Sequence, residues 1–137
     1  MAYAETCASI GMIFFCSRMF LLEQDSRYID TLEKALFNGV LSGVSLEGDR
    51  FFYANPLAVK KQAVDNGTLF FKGHMGYDRK EWFGCACCPP NIARLLASVK
   101  QYYYTQIKDT LYVQLYGQSV AQYGPLTLTQ TTQYPWD

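Results

Sequence analysis

No charge of one sign dominates this chain of 137 residues: twelve Lys and Arg offset twelve Asp and Glu, and no stripe of basic residues stands out. That balance gives no footprint for nucleic acid and none for an anionic membrane surface. A long hydrophobic run is also missing. The apolar patches Met12 to Phe15 and Met19 to Leu22 are interrupted by Cys16, Ser17 and Arg18, which leaves each well short of the roughly 20 residues of a membrane span. No basic segment precedes them as in a signal peptide, so the expected compartment is cytoplasmic. Internal repeats and low-complexity linkers are absent as well. There is one histidine, His74. A lone histidine in a stretch of little periodicity reads as incidental and stays outside any metal set.

The five cysteines are odd in number, and three crowd into Cys85-Ala86-Cys87-Cys88, too close in sequence to pair comfortably with one another. That argues against a disulfide framework and for reduced thiols in metal or catalytic use. Cys87 and Cys88 point in different directions in any regular element, so they cannot both serve one apolar face. Two thiolates on a tight turn can instead bind a soft or borderline metal such as zinc. Pro89 and Pro90 follow, and a helix should begin at about Pro90 or Asn91, its positive end lowering the thiol pKa. Cys85 and Cys88 also form a C-x-x-C, so the residues alone leave a structural zinc knuckle and a catalytic thiol both open.

Along the chain, Thr6 to Leu22 reads as a helix apolar nearly all round and therefore buried on several sides. Asp25 or Ser26 caps a second helix that runs through Leu36 to a stop at Asn38-Gly39. Val40 to Leu46 and Arg50 to Ala54 read as a β-hairpin around Glu47-Gly48-Asp49. Residues 57–81 read as a long loop. After the cysteines, Ile92, Leu95, Leu96 and Val99 make a helical stripe. Strands are expected at Gln101 to Ile107, Thr110 to Tyr116, Ser119 to Tyr123 and Leu126 to Thr132, from polar and aromatic or branched residues in alternation. The Tyr102-Tyr103-Tyr104 run offers a sugar platform, although strand aromatics mostly pack on a neighbouring layer. With 16% aromatic residues, composition alone does not separate a deep core from a sugar-binding cleft.

Four ordered motifs resemble one known family. They are Tyr3-Ala4-Glu5-Thr6-Cys7-Ala8, the stretch from Leu32 to Gly43, Phe52-Tyr53-Ala54-Asn55-Pro56-Leu57, and Gly84-Cys85-Ala86-Cys87-Cys88-Pro89-Pro90-Asn91-Ile92-Ala93-Arg94. The chain is similar to glycoside hydrolase family 127, the cysteine-dependent β-L-arabinofuranosidases. The resemblance implies an α-then-β fold: residues 1–100 as the C-terminal part of an (α/α)6 six-hairpin barrel, and residues 101–137 as the first strands of an antiparallel β-sandwich. It implies Zn2+ held by Glu5, Cys7, Cys87 and Cys88, with Cys87 the nucleophile of a retaining hydrolysis. Glu33 and Tyr53 are implied near the sugar, an L-arabinofuranose-containing glycan. Glu5 and Cys7 would lie about 200° apart on a helix, so their convergence requires an extended segment, and helix one is expected to start after Cys7. The family's acid/base glutamate lies upstream of the position of Glu5 and has no counterpart here, so the chain alone is expected to be nearly inactive. The alternative is a non-catalytic zinc-binding module, or one half of a split protein. The apolar first helix also implies self-association.

Overall fold

The computed structural model describes residues 4–56, 58, 62, 76, 78–134 and 136. His74 and most of the loop expected at 57–81 lie outside them. The chain divides into two compact units, Met1–Leu96 and Ala97–Asp137. Helices come first and short antiparallel strands follow.

Helix α1, Thr6–Glu23, leads the first unit. It begins one residue before Cys7 rather than after it, because Glu5 is itself extended (φ −68°, ψ 136°) and serves as the N-cap. The extended residue expected in this stretch is therefore Glu5 alone. Thr6, Ile10, Ile13, Cys16 and Phe20 form the buried stripe, spaced to share one face. Met12, Phe15 and Leu22 lie on the other side and are exposed, Leu22 at 74%. The helix is thus apolar all round but buried on one face only, contrary to the expectation from its sequence. At 18 residues with a mean hydropathy of 1.4 it is also long and apolar enough to cross a membrane by length and composition. Arg18 interrupts the hydrophobic run without ending the helix. Gln24 ends it in the left-handed region (φ 52°), with its N–H donating to the Phe20 carbonyl.

Asp25 caps α2, Ser26–Lys34, by accepting from the Arg27 N–H at 2.9 Å. Asn38-Gly39 does not stop the helical path. It continues as a π-helical turn, Ala35–Val40, and a 3-10 turn, Leu41–Gly43. The reason lies in packing: a Cβ on Gly39 would come within 2.8 Å of Ser9 Cβ on α1. This glycine serves close approach of two backbones rather than termination.

The hairpin expected over Val40 to Ala54 contracts to one bridge, Val44 with Phe51, closed by a turn at Gly48 (φ 77°). Phe51 bridges on its other side to Lys80. Arg79 secures the same segment, donating to the carbonyls of Ser42 (2.7 Å) and Gly43 (3.2 Å) while its guanidinium lies 4.8 Å from the Phe52 ring centroid. The last helix of this unit, α3, spans Cys88–Ser98. It starts two or three residues earlier than the expected Pro90 or Asn91, and Pro89 and Pro90 occupy its first turn, where a missing N–H costs nothing. Cys88, Ile92 and Leu95 form its buried stripe, whereas Leu96 is exposed. Arg94 ties α3 to α1, its guanidinium 4.8 Å from the Phe14 ring centroid.

The second unit holds two hairpins. β1, Tyr104–Ile107, pairs with β2, Thr110–Val113, and β3, Ser119–Tyr123, pairs with β4, Leu126–Gln130. The two pairs form separate two-stranded sheets. β1 starts later than expected because Val99–Tyr102 forms a 3-10 turn that buries Tyr102. β2 and β4 end earlier than their patterns suggest, and Leu115 is buried beyond the end of β2. Tyr104 packs edge-on against Tyr123 at 6.2 Å, and its hydroxyl shares a hydrogen bond with Ser119 (2.8 Å).

Candidate thiol centre

Three segments remote in sequence converge at one end of α1. Residues 4–6 lie against 53–55 through a bridge between Glu5 and Ala54, with the Asn55 N–H donating to the Ala4 carbonyl (2.7 Å) and the Thr6 N–H to the Tyr53 carbonyl (3.0 Å). That pairing fixes Cys7, in the first turn of α1, opposite the start of α3. Gly84, with φ 70°, turns the chain into the cysteine run, a conformation that suits a residue without Cβ.

The sulfurs of Cys7, Cys87 and Cys88 all lie within 4.8 Å of one another. Cys7 Sγ is 2.9 Å from Cys87 Sγ and 3.7 Å from Cys88 Sγ. All three thiols are free, and the shorter separation is well beyond a covalent S–S bond of about 2.05 Å. Glu5 borders the group, with its Oε1 3.8 Å from Cys87 Sγ. Cys88 is fully buried, while Cys7, Cys87 and Glu5 are half-buried. The donor set suits zinc by softness and by spacing. Two thiolates on one tetrahedral zinc stand about 3.8 Å apart, given Zn–S of about 2.3 Å. The Cys7–Cys88 separation already matches, and Cys7 and Cys87 would open by roughly 1 Å.

Tyr53 faces this group from the extended segment, its hydroxyl donating to the Cys87 sulfur. Burial, then that hydrogen bond, pushes its own pKa above the ordinary phenol value. The Phe83 ring holds it from one side, 5.8 Å away, and packs edge-on against Phe51 at 5.1 Å. Phe83 and Thr6 are the parts of the centre that sequence reasoning missed. The only signal for Thr6 was its place between two candidate ligands.

The position of Cys87 immediately before α3 agrees with the sequence, but the expected fall in thiol pKa does not follow. The Cys87 thiol is pushed up, first by its hydrogen bond with Cys7 and then by burial. Burial and the same neighbour push Cys88 up further. Clustering and desolvation of the sulfurs are what raise both. Both thiols therefore keep their protons at neutral pH, and a cation entering the group must displace them.

Cys85 is exposed and stands outside the group of three, so the C-x-x-C pair does not form a knuckle here. Cys16 is buried on α1 with its pKa raised by desolvation, as befits a packing residue. Glu33 is half-buried on α2 and does not join the sulfur group.

The non-reducing end beta-L-arabinofuranosidase of Bifidobacterium longum subsp. longum is 43% identical to this chain over 138 aligned positions. The alignment covers 98% of the chain and 20% of that enzyme, so the chain spans about one fifth of its relative's length. The family model described as beta-L-arabinofuranosidase, GH127 catalytic domain, matches residues 1–101. All four motifs of the resemblance lie inside that match, and the chain is a member of glycoside hydrolase family 127.

Proposed function

We propose that this chain carries the nucleophile and the metal-binding half of a retaining β-L-arabinofuranosidase. The observation that carries the reading is the meeting of three sulfurs, with Cys7 and Cys87 80 positions apart in sequence and 2.9 Å apart in space, in a chain of this family. Cys7, Cys87, Cys88 and the carboxylate of Glu5 would hold zinc. When bound, the metal would keep the Cys87 sulfur a thiolate at neutral pH and fix its direction.

Cys87 is the proposed catalytic residue. Its sulfur attacks the anomeric carbon of the arabinofuranose, and an S–C bond forms as the C–O bond to the leaving group breaks. Water then displaces the sulfur, and two inversions leave net retention. Tyr53 donates to that sulfur and restrains its rotamer, with Phe83 bracing the ring. Glu33 is proposed as an acceptor for a sugar hydroxyl. No residue of this chain is assigned as the proton donor, so a reaction run by it alone forgoes the roughly 10²–10⁴-fold that general acid catalysis contributes. On the same reading the helices are the C-terminal part of an (α/α)6 barrel, residues 1–100, and the hairpins are the first strands of a β-sandwich, residues 101–137.

Elemental analysis of the purified chain, together with assays on a chromogenic β-L-arabinofuranoside, tests the proposal. About one zinc per chain, lost in both Cys7→Ser and Cys88→Ser, with little or no turnover, is the expected result. Zinc content unchanged in those two variants would remove the metal assignment. Turnover that survives Cys87→Ala would remove the nucleophile.

A further inference from the structure

Thr6 stands between two of the proposed ligands, Glu5 and Cys7, in the sequence. It is 1% exposed, and a buried hydroxyl is costly unless its hydrogen bond is made. Its partner is unusual for this chain. Three other hydroxyls on the helical path donate to the carbonyl four residues back: Ser9 to Glu5, Thr31 to Arg27, Ser42 to Asn38. The Thr6 hydroxyl instead crosses to the Phe52 carbonyl, 46 positions away, at 2.7 Å. Its N–H takes the next carbonyl, that of Tyr53, at 3.0 Å. One residue thereby fastens the first turn of α1 to two successive peptides of the segment that carries Tyr53. Residues 6 and 7 project about 100° apart on the helix, so turning Thr6 into the Phe52–Tyr53 backbone sets the direction of Cys7 toward Cys87.

We infer that Thr6 is a positioning residue of the thiol centre, holding Cys7 Sγ in register with Cys87 Sγ and with the Tyr53 hydroxyl. The inference rests on the zinc-thiolate reading for its function but on the Thr6 hydrogen bonds for its geometry, and the two are separable by experiment.

Cobalt(II) titrated into the full chain reports both affinity and the thiolate-to-metal charge-transfer absorption. Thr6→Val keeps the shape and removes the hydroxyl, and Thr6→Ser restores it. Thr31→Val, whose hydroxyl bonds only within its own helix, is the control. Thr6→Val should weaken cobalt binding about 10–100-fold, the range for groups that orient metal ligands, and alter the charge-transfer band. Thr6→Ser should bind nearly as the parent chain does. Equal affinity and an equal band in Thr6→Val overturn the inference. Should Thr6→Val fail to fold, Thr6→Ser decides: binding like the parent supports the role, and folded protein with weak binding overturns it.

A parent chain that binds no metal would remove the zinc reading without settling Thr6. The metal-free thiols are then oxidised with diamide, which takes up two electrons and two protons as Cys7 and Cys87 form a disulfide, mapped by peptide mass. Cross-linking several-fold slower in Thr6→Val than in the parent supports the positioning role. Equal rates overturn it.

Discussion

Cys87 shows how far the surroundings of one side chain can invert its chemistry. The hydrogen bond with the Cys7 thiol, then burial, favour the protonated form, while the Tyr53 hydroxyl pulls the other way, and the net direction is upward. Charge acts more simply at Asp25, whose side chain caps α2 and is paired with Arg27 at 2.7 Å. The Arg27 guanidinium, then the Arg27 N–H, hold its carboxyl below the usual carboxylate range. Because the folded chain favours the charged form, this contribution is complete above the ordinary carboxyl range and fades as pH falls through the lowered folded value. Asp25→Asn should therefore melt below the parent at neutral pH, with the gap closing in acid. Thermal melts followed by circular dichroism across that range check this, and a gap that widens in acid would contradict the assignment.

The helix boundaries turn on contacts between elements. Asn38-Gly39 has the composition of a helix stop, and nothing local distinguishes it from one. Gly39 is instead placed against Ser9, where a Cβ would stand 2.5 Å from the hydroxyl oxygen. Gly39→Ala should cost about 1–3 kcal/mol, as overpacked sites do. Ser9→Gly in the same chain should recover part of that, less the roughly 1 kcal/mol that glycine costs inside a helix. Denaturant midpoints of the two singles and the double measure the coupling, and strict additivity would show that the two residues do not meet. The same logic explains why α1 misled. Its residues carry two apolar stripes, and only the packing of α1 on α2 and on the π-helical turn Ala35–Val40 reveals which one is buried, the stripe of Ile10, Ile13 and Phe20.

At the scale of the whole molecule, the exposed stripe of α1 has a consequence in solution. Met12, Phe15 and Leu22 recur at i, i+3 and i+10 on one face, with Phe15 56% exposed, a pattern that favours association through apolar surface. Sedimentation velocity should show concentration-dependent species, and Phe15→Glu with Leu22→Glu should shift them toward monomer. A parent chain that sediments as one monomeric species at every concentration would count against the idea. Much of the layout was legible beforehand: the order of helices and strands, a cap at Asp25 or Ser26, of which the structure uses Asp25, and the β3 boundaries follow from local pattern. Glu5, Cys7, Cys87 and Cys88 were grouped as ligands, and Glu33 and Tyr53 placed near the sugar, on the family motifs rather than on spacing; the structure brings the sulfurs of Cys7, Cys87 and Cys88 within 4.8 Å of one another. Thr6 and Phe83 were not legible, because a buried threonine and a bracing aromatic look like ordinary core until their partners 46 and 30 residues away are known. The thiol centre also has a topological meaning. Joining Cys7 to Cys87 through one shared ion would close a ring of about 80 residues, and in the chain-entropy picture such a closure removes about 4.5 kcal/mol of freedom from the unfolded chain. Each doubling of that ring costs only about 0.6 kcal/mol more, so the restraint depends on the two ends meeting far more than on the length of chain between them.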